Sequence, residues 1–262
     1  MKSDVIIQAR LQSTRLPNKV LMEVGDTTLL GQVIRKAQAI AGVDEVCVAM
    51  PELPGHQELE NEATRHGAWV YKGSESDVLA RYYGAAKELK SDVITRVTAD
   101  CPFLNPKLTA AMIALQAHTG ADYVTNNMPL TWPHGTETET FTFKALEKCQ
   151  SQAITPFQRE HVTVLLRERE DVQRVNLMSD NHDLIEHRWT VDYPEDLDFA
   201  RKIYNALGDD GDFSYQEVIS YLKNNAEIMK INAHHGHYEA DEPWVQSYRI
   251  VNWSNYLFEQ SN

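Results

Sequence analysis

Val5-Ile6-Ile7-Gln8-Ala9-Arg10-Leu11-Gln12-Ser13-Thr14-Arg15-Leu16-Pro17-Asn18-Lys19-Val20-Leu21 joins two kinds of chemistry. Its first three residues are β-branched and apolar, the composition of a strand buried on both faces. The run stops at a polar segment in which Arg10, Arg15 and Lys19 alternate with the hydroxyls of Ser13 and Thr14, and Pro17 argues against one continuous helix. A strand that ends in such a loop is where open α/β sheets bind ligands. Guanidiniums that fork onto phosphate oxygens, an ammonium point charge, hydroxyls and main-chain N–H groups together suit a polyanion. A solvated basic loop would carry the same residues, and the stretch by itself leaves both readings open.

Beyond it, Leu29, Leu30, Val33, Ile34 and Ala37 recur at helical spacing and predict a helix over 28–40, ended near Gly42. A strand over 45–50, a turn over 51–55, a polar helix over 57–66 and a strand over 68–71 follow. The segment 73–77 then leads into a helix with Val78, Leu79, Tyr82, Tyr83 and Ala86 on one face, capped by Ser76 or Asp77. Strand, helix, strand, helix is the order that builds a parallel sheet with right-handed crossovers.

The 262 residues suffice for one α/β domain, or one with a small appendage. A net charge of −13 disfavours nucleic acid and anionic membrane as partners, since both reward an excess of Lys and Arg. An anionic small substrate therefore needs locally concentrated positive charge, which the opening loop offers. Cys47, Cys101 and Cys149 lack metal-ligand spacing and leave one thiol over in any pairing, as expected of reduced thiols in a cytoplasmic protein. The N-terminus has no signal-type apolar core, and no window approaches the roughly 20 apolar residues of a spanning helix.

A strand over 93–98 ends at Ala99-Asp100-Cys101-Pro102, and a helix over 106–118 follows. Pro102 cannot continue a ladder, so Asp100 is expected exposed at the carboxyl end of a central strand. A carboxylate there can hold Mg²⁺ beside a phosphate, or simply cap the helix. Strands are read at 121–125, 172–178 and 188–191, helices at 144–151, from Thr155 onward, at 194–207 and at 214–225. Asp192 repeats the logic of Asp100, with Pro194 in the first turn of an acidic helix where Glu195 and Asp196 serve the dipole. Glu137-Thr138-Glu139-Thr140-Phe141 alternates at period two, so Glu137 and Glu139 are expected on one face.

The segments QARLQSTRLPNKVL, GSESDVLARYY at 73–83, RVTADCPFLNP at 96–106, HGTETETF at 134–141, REHV at 159–162 and TVDYPEDL at 190–197 resemble, in that order, the cytidylyltransferase family that activates acidic sugars. The likeness is closest to its spore-coat-polysaccharide SpsF-like branch. It implies a Rossmann-like nucleotide-diphospho-sugar transferase fold over 1–226, and a Mg²⁺-dependent transfer of CMP from CTP to an acidic sugar with release of pyrophosphate. It further implies that Arg10, Ser13, Arg15 and Lys19 hold the triphosphate, that Asp100 and Asp192 bind metal, and that Glu139 is a site residue reading the acceptor. Ala9, Ser74, Asp77 and Arg81 would border the nucleotide, although Arg81 could equally pair with a carboxylate. His161 would orient substrate or cap a helix. Arg10, Arg15, Lys19 and Asp100 thus become the expected catalytic set. Asn18 stands where the family usually has glycine; Asn tolerates positive φ better than other side chains.

The tail, 227–262, lies outside the resemblance. Its Trp244, Tyr248, Trp253, Tyr256 and Phe258 are expected to cover an apolar patch on the domain or on a second subunit of a homodimer. His234, His235 and His237 carry donors for a transition metal but match no familiar catalytic spacing, and read as a turn. Two other functions fit the same residues. One is a nucleotide-sugar-dependent glycosyltransferase, for which three cations aimed at a triphosphate have less purpose; the other is a non-catalytic nucleotide-binding protein.

Overall fold

The computed structural model describes residues 1–236, 247–254 and 256. The apolar run opens β1 (Ser3–Gln8), where Val5, Ile6 and Ile7 are fully buried. Alternate side chains enter cores on opposite faces, Ile6 among Leu79 and Tyr82, Val5 and Ile7 among Leu30 and Val33. A hairpin of β2 (Glu23–Val24) and β3 (Thr27–Thr28) follows, then α1 (Leu29–Gln38), β4 (Glu45–Pro51), α2 (Gln57–Arg65), β5 (Trp69–Gly73), α3 (Val78–Leu89), β6 (Val93–Thr98), α4 (Pro106–Thr119) and β7 (Tyr123–Thr125). The second half holds β8 (Glu139–Thr142), α5 (Phe143–Gln152), α6 (Pro156–Glu160), α7 (Val164–Glu168), β9 (Arg174–Met178), α8 (Pro194–Leu207), α9 (Tyr215–Asn224), α10 (Ala226–Met229) and β10 (Arg249–Asn252).

The main sheet runs β10-β9-β7-β8-β6-β1-β4-β5. Every pairing is parallel except those of β8, which runs antiparallel to both neighbours. This is the mixed, mostly parallel α/β architecture expected. Strand β1 has β4 on one side and β6 on the other, so the loops leaving β1 and β6 part at a switch point and open a crevice between them. Local chemistry starts the flanking helices: Thr28 accepts from Gly31 N and Asn105 from Lys107 N and Leu108 N. At α3 it is Asp77, not Ser76, that accepts from Ala80 N.

Three details depart from the sequence reading. Residues 188–191 are not a sheet strand. Their N–H groups go instead to two loops, Trp189 N to His134 O at 2.6 Å and Val191 N to Asp100 O at 2.8 Å. Glu137 precedes β8, so it and Glu139 do not share a ladder face. The helix begun at Thr155 by a capping box is only five residues long, and His161 ends it as the C-cap.

In the tail, β10 adds a parallel edge strand to β9, Tyr248 packs edge-on against Tyr123, and Trp253 against Trp132. The expectations for His237, Trp244 and Phe258 fall outside the described residues. Cys47, Cys101 and Cys149 are buried and unpaired. Among the described residues no helix is long and apolar enough to cross a membrane.

Candidate functional site

The loop after β1 folds back on itself: Ser13 N and Asn18 N both donate to Leu11 O, at 2.9 and 3.0 Å. Asn18 sits in the left-handed region, φ 57° and ψ 21°, so the turn keeps its shape without glycine. That turn aims Lys19 inward. Its ammonium, on a side chain only 10% exposed, donates to Asp100 Oδ2 at 2.9 Å, Asp192 Oδ1 at 2.9 Å and Val191 O at 2.8 Å. Arg15 Nη2 stands 3.1 Å from Asp192 Oδ1, while its Nη1 donates to the Tyr193 hydroxyl at 3.2 Å. Cations of the first loop and aspartates from two distant segments therefore meet at one point.

Burial opposes the Lys19 charge, but the carboxylates of Asp100 and Asp192 outweigh it and hold the ammonium above the usual lysine range. Burial likewise pushes Asp100 up, and is overcome by Lys19 and the Thr98 hydroxyl, which bring its carboxyl down to about 2. Both groups of this pair are charged at neutral pH.

Asp192 is held from behind. Asp196, fully buried in the first turn of α8, takes Arg188 Nε and Nη2 on its two oxygens at 2.9 Å each. The same carboxylate accepts from Asp192 N at 2.9 Å and Tyr193 N at 3.0 Å. An acid at this helix position satisfies orphan N–H groups, and here it also sets the direction in which Asp192 leaves the backbone.

Two cavities adjoin at the aspartates. One, of about 590 Å³, is lined by Ala9, Arg10, Ser13, Arg15, Lys19 and Arg81, with Asp100 and Asp192. Arg81 is buried and donates to the carbonyls of Ser74 and Glu75 at 2.5 and 2.9 Å, so it shapes the β5–α3 loop from beneath. Ser74 and Asp77 do not line this cavity; Ser74 accepts from Asp77 N, and Asp77 caps α3 and faces Arg159 at 3.5 Å. The second cavity, about 460 Å³, shares Arg96, Thr98, Asp100, His161 and Asp192, and adds His134, Glu137, Glu139 and Arg167. Both sizes suit small-molecule sites.

Glu139 is buried, and its oxygens are fully engaged by Arg96, Tyr123, Thr163 at 2.7 Å and Arg167 at 2.7 Å. Burial disfavours its charge, yet Arg167 and Arg96 hold its carboxyl far below the usual range. Glu137 accepts from Gly135 N at 2.6 Å but has no guanidinium beside it among its hydrogen bonds, and burial lifts its carboxyl to about 7. His161 lines both cavities, and burial lowers its pKa despite the neighbouring Glu160.

Asp100 and Asp192 offer only carboxylate oxygens, and one oxygen of each already shares a single cationic centre, the Lys19 ammonium. Such a hard donor pair fits a divalent ion of the Mg²⁺ or Mn²⁺ type. Sequence reasoning missed Arg96, Arg167 and Tyr193, whose partners lie far along the chain, and Arg188, whose partner Asp196 is eight residues on. It also missed Asp196 as more than a dipole group, although its place two residues after Pro194 was a capping signal.

Residues 5–219 match the family model for cytidylyltransferases. The chain is 33% identical over 239 residues to the uncharacterized protein MJ1063 of Methanocaldococcus jannaschii, covering 89% of this chain and 95% of that one. It is 31% identical over 229 residues to the spore coat polysaccharide biosynthesis protein SpsF of Bacillus subtilis, with 85% and 94% covered. Among solved structures, a cytidylyltransferase from Leptospira borgpetersenii superposes with a TM-score of 0.82 at 31% identity, over 87% of this chain and 97% of that one.

Proposed function

The chain belongs to the cytidylyltransferase family, and from that premise we propose that it transfers CMP from CTP to an acidic sugar or sugar phosphate, releasing pyrophosphate, with Mg²⁺ as cofactor. The observation that carries this reading is Lys19 at 2.9 Å from both Asp100 and Asp192, at the junction of a cation-lined cavity and a second, mixed-charge one. A triphosphate needs the first and its acceptor the second.

In this reading Arg10, Arg15 and Lys19 neutralise the β- and γ-phosphates, with the Ser13 hydroxyl and main-chain N–H groups of the loop filling remaining lone pairs. Asp100 and Asp192 would hold the Mg²⁺, which when bound supplies charge neutralisation at the α-phosphate and acidifies the acceptor hydroxyl. The Arg188–Asp196 pair keeps Asp192 from turning away. The acceptor hydroxyl gives up its proton to solvent as its oxygen forms a bond to the α-phosphorus, the bond from that phosphorus to the β-bridging oxygen breaks, and pyrophosphate leaves. Positioning and electrostatics do most of this, so no side-chain nucleophile is required. Ala9 and Arg81 border the nucleotide, while His161, Arg167 and the Glu139 cluster border the acceptor. The reaction is placed in the cytoplasm, with the aromatic tail packed on the domain, as Tyr248 on Tyr123 and Trp253 on Trp132 are, or on the second subunit of a homodimer.

The test is incubation with CTP, Mg²⁺ and a panel of sugar acids and sugar phosphates, following pyrophosphate. Release that depends on one of these acceptors supports the reading. Hydrolysis of a sugar nucleotide without pyrophosphate would replace it by glycosyl transfer.

A further inference from the structure

One motif stands outside the chemistry above, the histidine pair that follows α10. We propose that Glu195, His234 and His235 form a second metal site, for a Zn²⁺-class transition ion, which clips the 232–236 turn to the start of α8. It shares no donor with the Asp100–Asp192 pair and does not rest on the nucleotide reading.

The spacing supports it first. His235 Nε2 and Glu195 Oε2 are 3.2 Å apart, and with His234 the three donor atoms lie within 4.8 Å of one another. Ligands about 2.0–2.2 Å from a tetrahedral Zn²⁺ stand roughly 3.3–3.5 Å from each other. The His235–Glu195 edge already has that length, and His234 must close by no more than about 1.5 Å, within the reach of a side-chain rotation.

Donor chemistry sets the class of ion. Two imidazoles and a carboxylate suit Zn²⁺ and its neighbours, whereas the all-oxygen aspartate pair suits Mg²⁺. The two sites would therefore sort their metals by ligand type.

The turn is also built rather than loose. Asn232, 2% exposed, donates from Nδ2 to Arg188 O at 3.0 Å and to Asp196 Oδ1 at 2.9 Å, tying the histidines to the segment that carries Glu195. The His235 ring lies 3.8 Å from the Tyr193 ring at an interplanar angle of 5°, so its plane is held while Nε2 faces the carboxylate. Second contacts that fix an imidazole's orientation are what a ligating histidine requires.

The experiment uses tag-free full-length protein stripped with EDTA, refilled with millimolar Mg²⁺, and titrated with ZnCl₂ against a chromogenic Zn²⁺ chelator. One equivalent is expected, held at least 100-fold more tightly than by a His234→Ala/His235→Ala chain. Zn²⁺ should raise the melting temperature of the native chain and not that of the double variant. Asp100→Ala should bind Zn²⁺ as the native chain does. Equal affinity in the native and double-variant chains, or loss of the tight equivalent in Asp100→Ala instead, would overturn the proposal. Circular dichroism of the double variant checks that it folds, and Glu195→Gln, which keeps both imidazoles, supplies an independent loss of affinity.

Discussion

Lys19 and Asp100 hold each other at 2.9 Å, the lysine side chain 10% and the aspartate 27% exposed. The aspartate's carboxyl is down at about 2 against 3.8 when free, so the pairing stabilises the native state wherever the unfolded chain would be ionised. With a depressed folded pKa, that stabilisation is present above about pH 3.8 and fades as pH falls toward 2. Its size is on the order of 2 kcal/mol. Lys19→Met is expected to remove it, leaving two carboxylates to repel each other, and to flatten the acid limb of a stability-versus-pH curve measured by urea unfolding. Nucleotide turnover should drop by about 100-fold or more, the usual cost of losing a charged group in a preorganised site. An unchanged acid limb in Lys19→Met would remove the pairing from the account.

Glu137 has the opposite sign. Its carboxyl is raised from 4.5 to about 7, on a side chain 19% exposed. Below about pH 4.5 it is protonated in both states. Between 4.5 and 7 the unfolded chain ionises first, so native stability falls as pH rises, by up to about 3 kcal/mol at 1.36 kcal/mol per unit. Glu137→Gln stays neutral throughout. Its stability relative to the native chain should rise across that window and level off above pH 7, as read by paired denaturant curves at several pH values. A difference that stays flat from pH 4 to 8 would mean the carboxyl ionises normally.

Glu139 joins Arg96 and Arg167, and removing its charge leaves two largely buried guanidiniums facing each other. Breaking a buried ion cluster by deleting one member typically costs about 3–5 kcal/mol. Glu139→Gln should therefore unfold at clearly lower urea. Because its oxygens are already engaged by protein donors, a folded Glu139→Gln sample at low temperature should show its defect in the acceptor KM through the two arginines, with CTP binding retained. Loss of CTP binding at unchanged stability would point to a different role.

Much of this was legible along the chain. The β-branched run of β1, the interruption at Pro102 and the Asn105-Pro106 start of α4 state their structure locally, and Val93–Thr98 and the helix over 194–207 came out with the expected bounds. Residues 188–191 misled because Trp, Thr and Val favour extended backbone, while only the fold shows that their N–H groups pair with loops. Period-two alternation around Glu139 could not say that its side chain would be buried, since its partners Arg96, Tyr123 and Arg167 come from β6, β7 and α7. β10 was hidden within an aromatic-rich tail, with only four residues to announce it. Asp100, Asp192 and Lys19 were readable as chemistry and, through the ordered resemblance, as parts of one cleft, whereas the direct bonds of Lys19 to both carboxylates were not, because nothing local links positions so far apart.

Asp196 tests how far positioning alone matters. It lines neither cavity, yet its two oxygens receive Arg188, Asp192 N, Tyr193 N and Asn232. Asp196→Asn keeps the shape but puts an amide N–H where donors must be accepted: in place of Oδ2 it strips one guanidinium bond and both N–H groups of the 192–193 turn of their acceptor, and in place of Oδ1 it strips one guanidinium bond and the Asn232 amide. A stability loss of about 3 kcal/mol is expected from the broken buried pair. The sharper consequence is kinetic: Asp192 is no longer aimed at Lys19, and a misplacement of about 1 Å can cost on the order of 100-fold in rate. Assayed well below its melting temperature, Asp196→Asn should lose at least tenfold in turnover and require more Mg²⁺ for half-maximal rate. A variant that is merely less stable, with native turnover and Mg²⁺ requirement while folded, would show that Asp192 keeps its position without this carboxylate.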